Sequence, residues 1–278
     1  MSTATQPNES LEYIRRLTRD LRAAAIHLTP DQARYMVDAY YACQKLRIHA
    51  ENQARSAVRD EEPSELVLFL ADNFGTMETN VRGVLLRVAR GSRAGRWMLA
   101  QHGIGPVIAA GFLAHLDVTR APTAGQFWRF AGLDPSVVWK KGQKRPWNAS
   151  LKTLCWKLSD SFVKQRGSEN CFYGRLYEKR KALEVHRNES GANAETAART
   201  LTERTFRDTA TREVYEAGRL PDGRVDLRAR RWTSKLFLSH LHAVMHEIEY
   251  GRPAPRPYAF DHMEGHNDFI DPQGWPCD

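Results

Sequence analysis

The sequence predicts an all-α protein, and three observations carry that prediction. Apolar residues recur at three- and four-residue steps over long stretches, which is the spacing of one helix face. The first ninety or so residues contain neither the alternating pattern nor the Asn-Gly signal that marks strands and hairpins. Short breaks such as LTPDQA and DEEPSE separate segments of helical length.

The arm at the start of the chain is the first predicted unit. Thr29 is expected to cap a helix that runs from Pro30 to about Val58. Ser64 is expected to cap the next helix, which ends near Gly91. An earlier helical stripe consists of Leu11, Ile14, Leu17, Leu21 and Leu28. Together these helices resemble a helical hairpin or a coiled-coil-like arm.

The rest of the chain is also predicted to be helical. Helices are expected over 170–187, 195–216 and 225–250, and the tail from Gly251 is expected to lack regular structure. Compact helices and glycine turns precede them. The predicted units are a disordered lead-in (1–9), the arm (10–91), a helix-hairpin-helix domain (92–166), a helical extension (167–250) and an irregular tail (251–278).

The composition points to an acidic partner. The 278 residues include 41 lysines and arginines against 33 acids, so the net charge is +8. That charge favours nucleic acid first and an anionic membrane surface second, with plain solubility as the alternative. No apolar run approaches the length of a membrane span, and the polar start MSTATQPNES has no signal-peptide core. The four cysteines are scattered, so we expect reduced thiols and a cytoplasmic protein without a cofactor.

The stretch GIGPVIAAGF places a tight glycine turn directly before a helix. Gly103 and Gly105 permit positive φ angles, and Pro106 suits the first helical turn. The free amides from Gly103 to Val107 are therefore predicted to bind a backbone phosphate, while Ile104 enters the core. The alternative is a helix–helix turn that binds nothing.

A basic stretch, WKKGQKRPWNASLKTLCWK, follows at residues 139–157 and contains no acid. Its cations are expected to neutralise phosphates, and exposed tryptophans can stack on unpaired bases. Trp156 is instead expected to pack inward, and the alternative for the whole stretch is a solvated loop. The candidate contacts are Lys140, Lys141, Gly142, Lys144, Arg145 and Lys152.

These residues resemble a known family. The stretch that begins with GIGP is similar to the C-terminal domain of the DEDD insertion-sequence transposases, the bridge-RNA-guided recombinases. A basic glycine loop follows in that family, here at Gly142 to Arg145, and the specific match covers residues 97–165. The positions that carry the middle of the match are Ala124, Phe127, Phe130, Gly132, Leu133 and Pro135.

The resemblance implies a catalytic domain that the sequence does not display. A complete family enzyme has an N-terminal α/β resolvase-like domain, whose four carboxylates bind the two magnesium ions that clamp a phosphodiester. The region before Gly103 is too short and too helical for that domain. The acid cluster Asp60, Glu61 and Glu62 is interpreted as a solvated break between helices.

The family also carries a nucleophilic serine in the basic glycine loop. Lys140 or Lys141 occupies the expected position here, and an ammonium cannot replace a serine oxygen as nucleophile. Ser136 and Ser150 are nearby but off register. The resemblance therefore implies binding without strand transfer.

Two further groups of residues are candidates for chemistry. His242 and His246 lie one helical turn apart, and His262 and His266 repeat that spacing in the tail, which suggests a zinc site. The alternative is that the helix histidines pack against the tail or face solvent. The arginine run from Arg224 to Trp232 is either a second phosphate contact or a solvated helix face.

The leading hypothesis is a transposase-related protein that binds DNA, or structured RNA, without catalysing strand transfer. The helical arm is expected to form a homodimer, because long amphipathic stripes need a partner. One alternative is an active transposase or metal-dependent nuclease of a mobile element. Another is a helical scaffold protein with no nucleic-acid role.

Overall fold

A computed structural model describes residues 23–59, 65–257 and 269–276. These residues form helices, turns and irregular segments but no strand, so the all-α prediction is confirmed. The predicted lead-in, most of the first helical stripe, the Ser64 cap and the acid cluster at 60–62 lie outside the described residues. The described helices include none with the length and apolarity needed to cross a membrane. The described cysteines form no disulfide.

The described part of the chain contains ten α-helices. They are α1 (Pro30–Arg59), α2 (Glu65–Arg90), α3 (Arg93–Ala100), α4 (Pro106–His115), α5 (Ala124–Phe130), α6 (Ala149–Lys164), α7 (Phe172–Glu189), α8 (Ala194–Glu203), α9 (Thr209–Glu216) and α10 (Asp222–Tyr250). Short 3₁₀ turns lie at Ala25–His27 and Val118–Arg120.

Helices α1 and α2 form the arm and end where the sequence predicts. Thr29 Oγ1 accepts a hydrogen bond from the Gln32 amide, and Gln32 Oε1 accepts one from the Thr29 amide, so α1 starts with a capping box. Further along, Arg47 Nε lies 2.6 Å from Glu78 Oε2. Because Val37 packs against α2 near its far end, at Val81, the two helices run antiparallel.

The centre of the fold is α4, which is apolar on all sides. Val107 and Ala110 pack against the base of the arm. On another side, a methyl group at Gly111 would lie 2.8 Å from a Leu154 methyl carbon of α6, so glycine allows the close approach of the two helices. Phe112 packs on Phe237 of α10, with 5.3 Å between ring centroids. Four neighbouring helices are therefore positioned by one buried helix of ten residues.

The extension departs from the prediction at one point. The single helix predicted over 195–216 is wrong, because the chain forms α8 and α9 with an irregular break at 204–208. The Asp208 carboxylate accepts a hydrogen bond from the Ala210 amide and caps α9, which restarts the helix. Phe206, in the break, packs on Tyr215, with 5.2 Å between centroids. The packing of this half-buried ring and the new cap favour a broken helix over a continuous one.

The segment 269–276 returns to the core and has no helix or strand. Trp97 Nε1 donates to the Gln273 carbonyl at 2.9 Å. His240 of α10 is buried between this segment and α7: its Nε2 lies 2.7 Å from the Ile270 carbonyl, and its Nδ1 lies 2.9 Å from the Tyr173 hydroxyl. A carbonyl can only accept, so Nε2 carries the proton and Nδ1 accepts from Tyr173. The neutral imidazole satisfies both contacts.

Acid is expected to destabilise the protein through His240. Burial lowers the pKa of His240 from 6.5 to about 4. Between these values the unfolded chain binds the proton and the folded chain does not, so the free energy of unfolding falls as the pH decreases. The loss grows to about 3 kcal/mol once the pH reaches the folded pKa. Urea denaturation at several pH values from neutral downward measures it.

The control for this prediction is His240→Gln, which keeps polar contacts but does not titrate. Burial also lowers the pKa of His242, so some decline in the same direction remains in the variant. The wild-type protein should therefore lose more stability on acidification than the variant. Parallel stability curves for the two proteins would contradict the role of His240.

Candidate nucleic-acid interface

The glycine turn, residues 101–105, joins α3 to α4 in the conformation that glycine permits. Gly103 has a φ of 96°, and a methyl group there would lie 3.2 Å from Phe162 Cδ1. The Ser161 hydroxyl donates to the Gly103 carbonyl at 2.6 Å, which ties the turn to α6. A residue with a side chain at position 103 would strain the backbone and crowd the Phe162 ring. The turn is thus a fixed element of the core surface.

The turn divides its residues between packing and exposure. Ile104 is buried, as predicted, and its amide donates to the Gln101 carbonyl at 3.0 Å. Val107 is buried against the arm. Gly103 and Gly105 are half-buried, and within the described part of the chain their amides have no hydrogen-bond partner. Ile104 and Val107 therefore hold the turn in place, and the two glycines present the amides that remain for an anion.

The basic loop, residues 139–147, is built on a pair of tryptophans. The rings of Trp139 and Trp147 meet edge to face with centroids 6.0 Å apart. The Arg145 guanidinium lies 5.6 Å from the Trp139 ring, and the Lys152 ammonium of α6 lies 4.3 Å from the Trp147 ring. These cation–π contacts hold two cations against a common aromatic base.

Two glycines make this arrangement possible. Gly132 has a φ of 66°, and a methyl group there would lie 2.7 Å from Trp147 Cγ, so Trp147 fits only against glycine. Gly142 has open space around it, and its φ of 94° lets the chain turn at the tip of the loop. The Trp139 indole then donates to the Gln143 carbonyl at 2.8 Å. The loop is therefore ordered by its own contacts although its cations face solvent.

The cations of the basic loop and Lys152 of α6 pair with no acid that the structure describes. Among the described residues, none of Lys140, Lys141, Lys144, Arg145 and Lys152 forms a salt bridge, and all five are exposed. Burial of part of its side chain, and the positive charges of Arg231 and Arg145, lower the pKa of Lys152. The positive charge concentrated here is available to an external anion.

The glycine turn and the basic loop lie at opposite ends of the same helix pair. The turn contacts Ser161, near the end of α6, whereas the Asn148 side chain that caps the start of α6 lies 3.5 Å from His115, at the end of α4. The glycine turn and the basic loop are therefore separated by the length of α4, about 15 Å for ten residues at the rise of an α-helix. The candidate residues thus form two separate surfaces.

Three other positions are candidates from the sequence: Trp156, Ser136 and Ser150. The prediction that Trp156 packs inward is wrong, since its side chain is 54% exposed on α6. It lies one helical turn from Lys152, and the buried side of α6 is already filled by Leu151, Leu154, Cys155 and Leu158. Ser136 is exposed, and its hydroxyl donates to Asp134 at 2.7 Å; Ser150 is exposed in the first turn of α6.

The helix histidines contact backbone carbonyls. His242 Nε2 lies 2.8 Å from the Ala121 carbonyl, and His246 Nδ1 lies 3.2 Å from the Arg252 carbonyl. Both rings are buried, in keeping with the packing interpretation. His262 and His266 lie outside the described residues, and within the described ranges no group of three His, Cys, Asp or Glu side chains is placed to hold a metal ion.

Sequence reasoning missed the contacts of α10 with α5 and α6, the two helices that flank the basic loop. Trp128 Nε1 donates to the Lys235 carbonyl at 2.9 Å, and the Lys235 ammonium lies 4.1 Å from the Trp128 ring. The Ser234 hydroxyl donates to the Cys155 carbonyl of α6 at 3.2 Å. The run RARRWTSK indicates a basic face on α10, because its cations continue to Lys235 at helical spacing.

Comparison with known proteins gives one match. Residues 90–144 match the family model described as "Transposase IS116/IS110/IS902 family", which is about a fifth of the chain. The match includes α3, the glycine turn, α4, α5 and the first part of the basic loop. It supports a transposase-family domain in this chain. No curated protein and no solved structure matches the chain.

Replacement of Trp147 with alanine is expected to release the basic loop. The variant loses the ring that contacts Trp139, Gly132 and Lys152, so the chain around the exposed lysines becomes accessible to a protease. Limited trypsin digestion followed by mass spectrometry should show faster cleavage after Lys140 or Lys141. Trp156→Ala removes an exposed tryptophan outside the loop and should leave the rate unchanged. Equal rates for both variants would argue against the anchoring role.

Proposed function

We propose that this transposase-related protein binds the phosphate backbone of nucleic acid without catalysing strand transfer. The observation that carries the proposal is the basic loop. Two exposed cations, Arg145 and the adjacent Lys152, lie over the paired rings of Trp139 and Trp147, and no described acid pairs with them. Cations in such an arrangement release counterions from a polyanion and read no sequence. The net charge of +8 attracts the same partner over a longer range.

The glycine turn supplies a second, smaller contact. The amides of Gly103 and Gly105 lie at the start of α4, where the helix dipole favours an anion. Because the turn is separated from the loop by the length of α4, a ligand that touches both must be extended. A nucleic-acid strand meets that requirement.

The absence of a serine at the expected position supports the non-catalytic part of the proposal. Lys140 and Lys141 occupy the start of the basic loop, and both side chains are exposed at a fixed turn. An ammonium cannot form the phosphoester that a serine oxygen forms. The nearby Ser136 hydroxyl is engaged with Asp134, which caps its own turn.

Replacement of the two lysines tests the loop. Lys140→Ala with Lys141→Ala should weaken binding to duplexes of unrelated sequence to a similar extent, by roughly tenfold or more at low salt. The slope of log affinity against log salt should fall by about 2, because each phosphate contact contributes about one. Gel shifts over a salt series measure both quantities.

The matched control is Lys45→Ala with Lys179→Ala, which removes the same charge from exposed lysines on α1 and α7. Its affinity and salt slope should remain near those of the wild type. Wild-type affinity that ignores salt, or no binding at all, would reject the proposal and favour a scaffold role. Magnesium-dependent nicking of the bound DNA would reject its non-catalytic part.

We also propose that the arm forms the homodimer contact. Near its tip the arm exposes Val58, Leu66 and Phe69, with 63%, 76% and 52% of each residue accessible. An open groove of about 500 Å³, lined partly by Leu46 and Phe74, lies between α1 and α2 nearby. Apolar area of this kind favours contact with an equally apolar surface, which a second copy provides.

Charged substitutions at the arm tip test the dimer. Leu66→Glu with Phe69→Glu should convert a dimer into a monomer, because association would bury the new carboxylates. Light scattering coupled to gel filtration gives the mass. Leu183→Glu with Leu227→Glu places the same charge on exposed leucines of α7 and α10 and should leave the dimer intact. A wild-type mass equal to that of one chain would overturn this part.

A further inference from the structure

Helix α10 carries a row of cations on one side. Arg224, Arg228, Arg231 and Lys235 follow one another at steps of four, three and four residues, which places them on a common helix face. We call this row the α10 stripe. It lies outside residues 90–144, so the family match does not account for it.

The cations of the α10 stripe differ in their charge partners from Arg230, the other arginine of the same run. Arg230 points to the opposite side, where it pairs with Asp226 at 2.6 Å and with Asp160 at 3.2 Å. Its charge is neutralised inside the protein. In the stripe, Arg224 contacts only the hydroxyls of Tyr215 and Thr200, and Arg231 pairs with no acid among the described residues.

Among the described residues, two acids lie beside the stripe, and the first of them is shared. Glu184 of α7 lies 3.6 Å from Arg228 and also pairs with Arg180. A single carboxylate thus faces two arginines. At the far end, Asp134 attracts Lys235, while Arg231 repels it. The stripe as a whole keeps an excess of positive charge.

The stripe approaches Lys152, the cation of α6 that lies next to the basic loop. Ser234 contacts Cys155 of α6, and Lys152 lies one turn before Cys155. At the same end, Lys235 stacks on Trp128 of α5. Lys152 is near enough to Arg231 and Arg145 for their charges to lower its pKa after the effect of burial. The two groups of cations therefore border each other on one side of the molecule.

We infer that the α10 stripe and the basic loop form one continuous track for the backbone of a duplex nucleic acid. This inference rests on the proposed function and adds a surface to it. Eleven residues separate the ends of the stripe, which is about 16 Å along the helix. A duplex presents a phosphate about every 3.4 Å along each strand, so the stripe spans about five base pairs. A straight row of charge on a rigid helix matches a rigid backbone.

The test removes charge from the stripe without touching the loop. Arg224→Gln with Arg231→Gln should reduce the salt slope by about 2 and weaken duplex binding roughly tenfold or more at low salt. Lys179→Gln with Arg212→Gln, on α7 and α9, removes the same charge and should have little effect, since Arg212 is exposed and paired with Glu216. Fluorescence anisotropy with DNA and RNA duplexes measures both slopes.

A charge-preserving variant separates charge from packing. Arg224→Lys with Arg231→Lys should restore most of the affinity, whereas a structural defect would persist in it. If the wild type binds and the loop variant Lys140→Ala with Lys141→Ala weakens binding, but the glutamine pair does not, the continuous track is wrong and the proposed function stands. If the wild type binds neither duplex, the proposed function fails, and the inference fails with it.

Discussion

The close packing of α4 against α6 is the constraint on which the rest of the structure depends. Gly111 lets the two helices approach, and the contacts at their ends fix how far one extends along the other. Because α4 is apolar on every side, the arm, α3 and α10 can all pack against it as well. Closely packed protein interiors deform little, so the surfaces at the two ends of α4 keep their positions.

Electrostatics separates two kinds of cation in this protein. Arg47 and Arg230 are held by carboxylates and stabilise the contacts between helices. Lys152 and Arg145 are held by aromatic rings, which orient the side chain but leave its charge uncompensated. Ring contacts allow a protein to order a basic surface without neutralising it, and that is what a surface for polyanions requires.

The parts of the fold that sequence predicted are those set by local chemistry. The cap at Thr29 and the burial of Ile104 are predicted from neighbouring residues, and both are present. The exposure of Trp156 was not predicted, because periodicity does not say which face of α6 meets the core first. The break before Asp208 was missed for a related reason. It is stabilised partly by the packing of Phe206 on Tyr215, which the helical pattern does not show.

The sequence names the residues of the candidate site but not their arrangement. It places the glycine turn and the basic loop within the same predicted domain without giving the distance between them. Their separation follows from the antiparallel course of α4 and α6, which only the three-dimensional packing shows. The contacts of α10 with the helices that flank the loop are likewise long-range: Ser234 contacts α6, and Trp128 of α5 contacts Lys235.

The fixed distance between the glycine turn and the basic loop has a consequence for selectivity. Under the proposed function, a free nucleotide or an inorganic phosphate is too small to occupy both positions and gains contacts at only one of them. A polymer that engages one end raises the effective concentration of its own phosphates at the other end. In that proposal, the spacing of the two surfaces alone favours a long polyanion over its monomers.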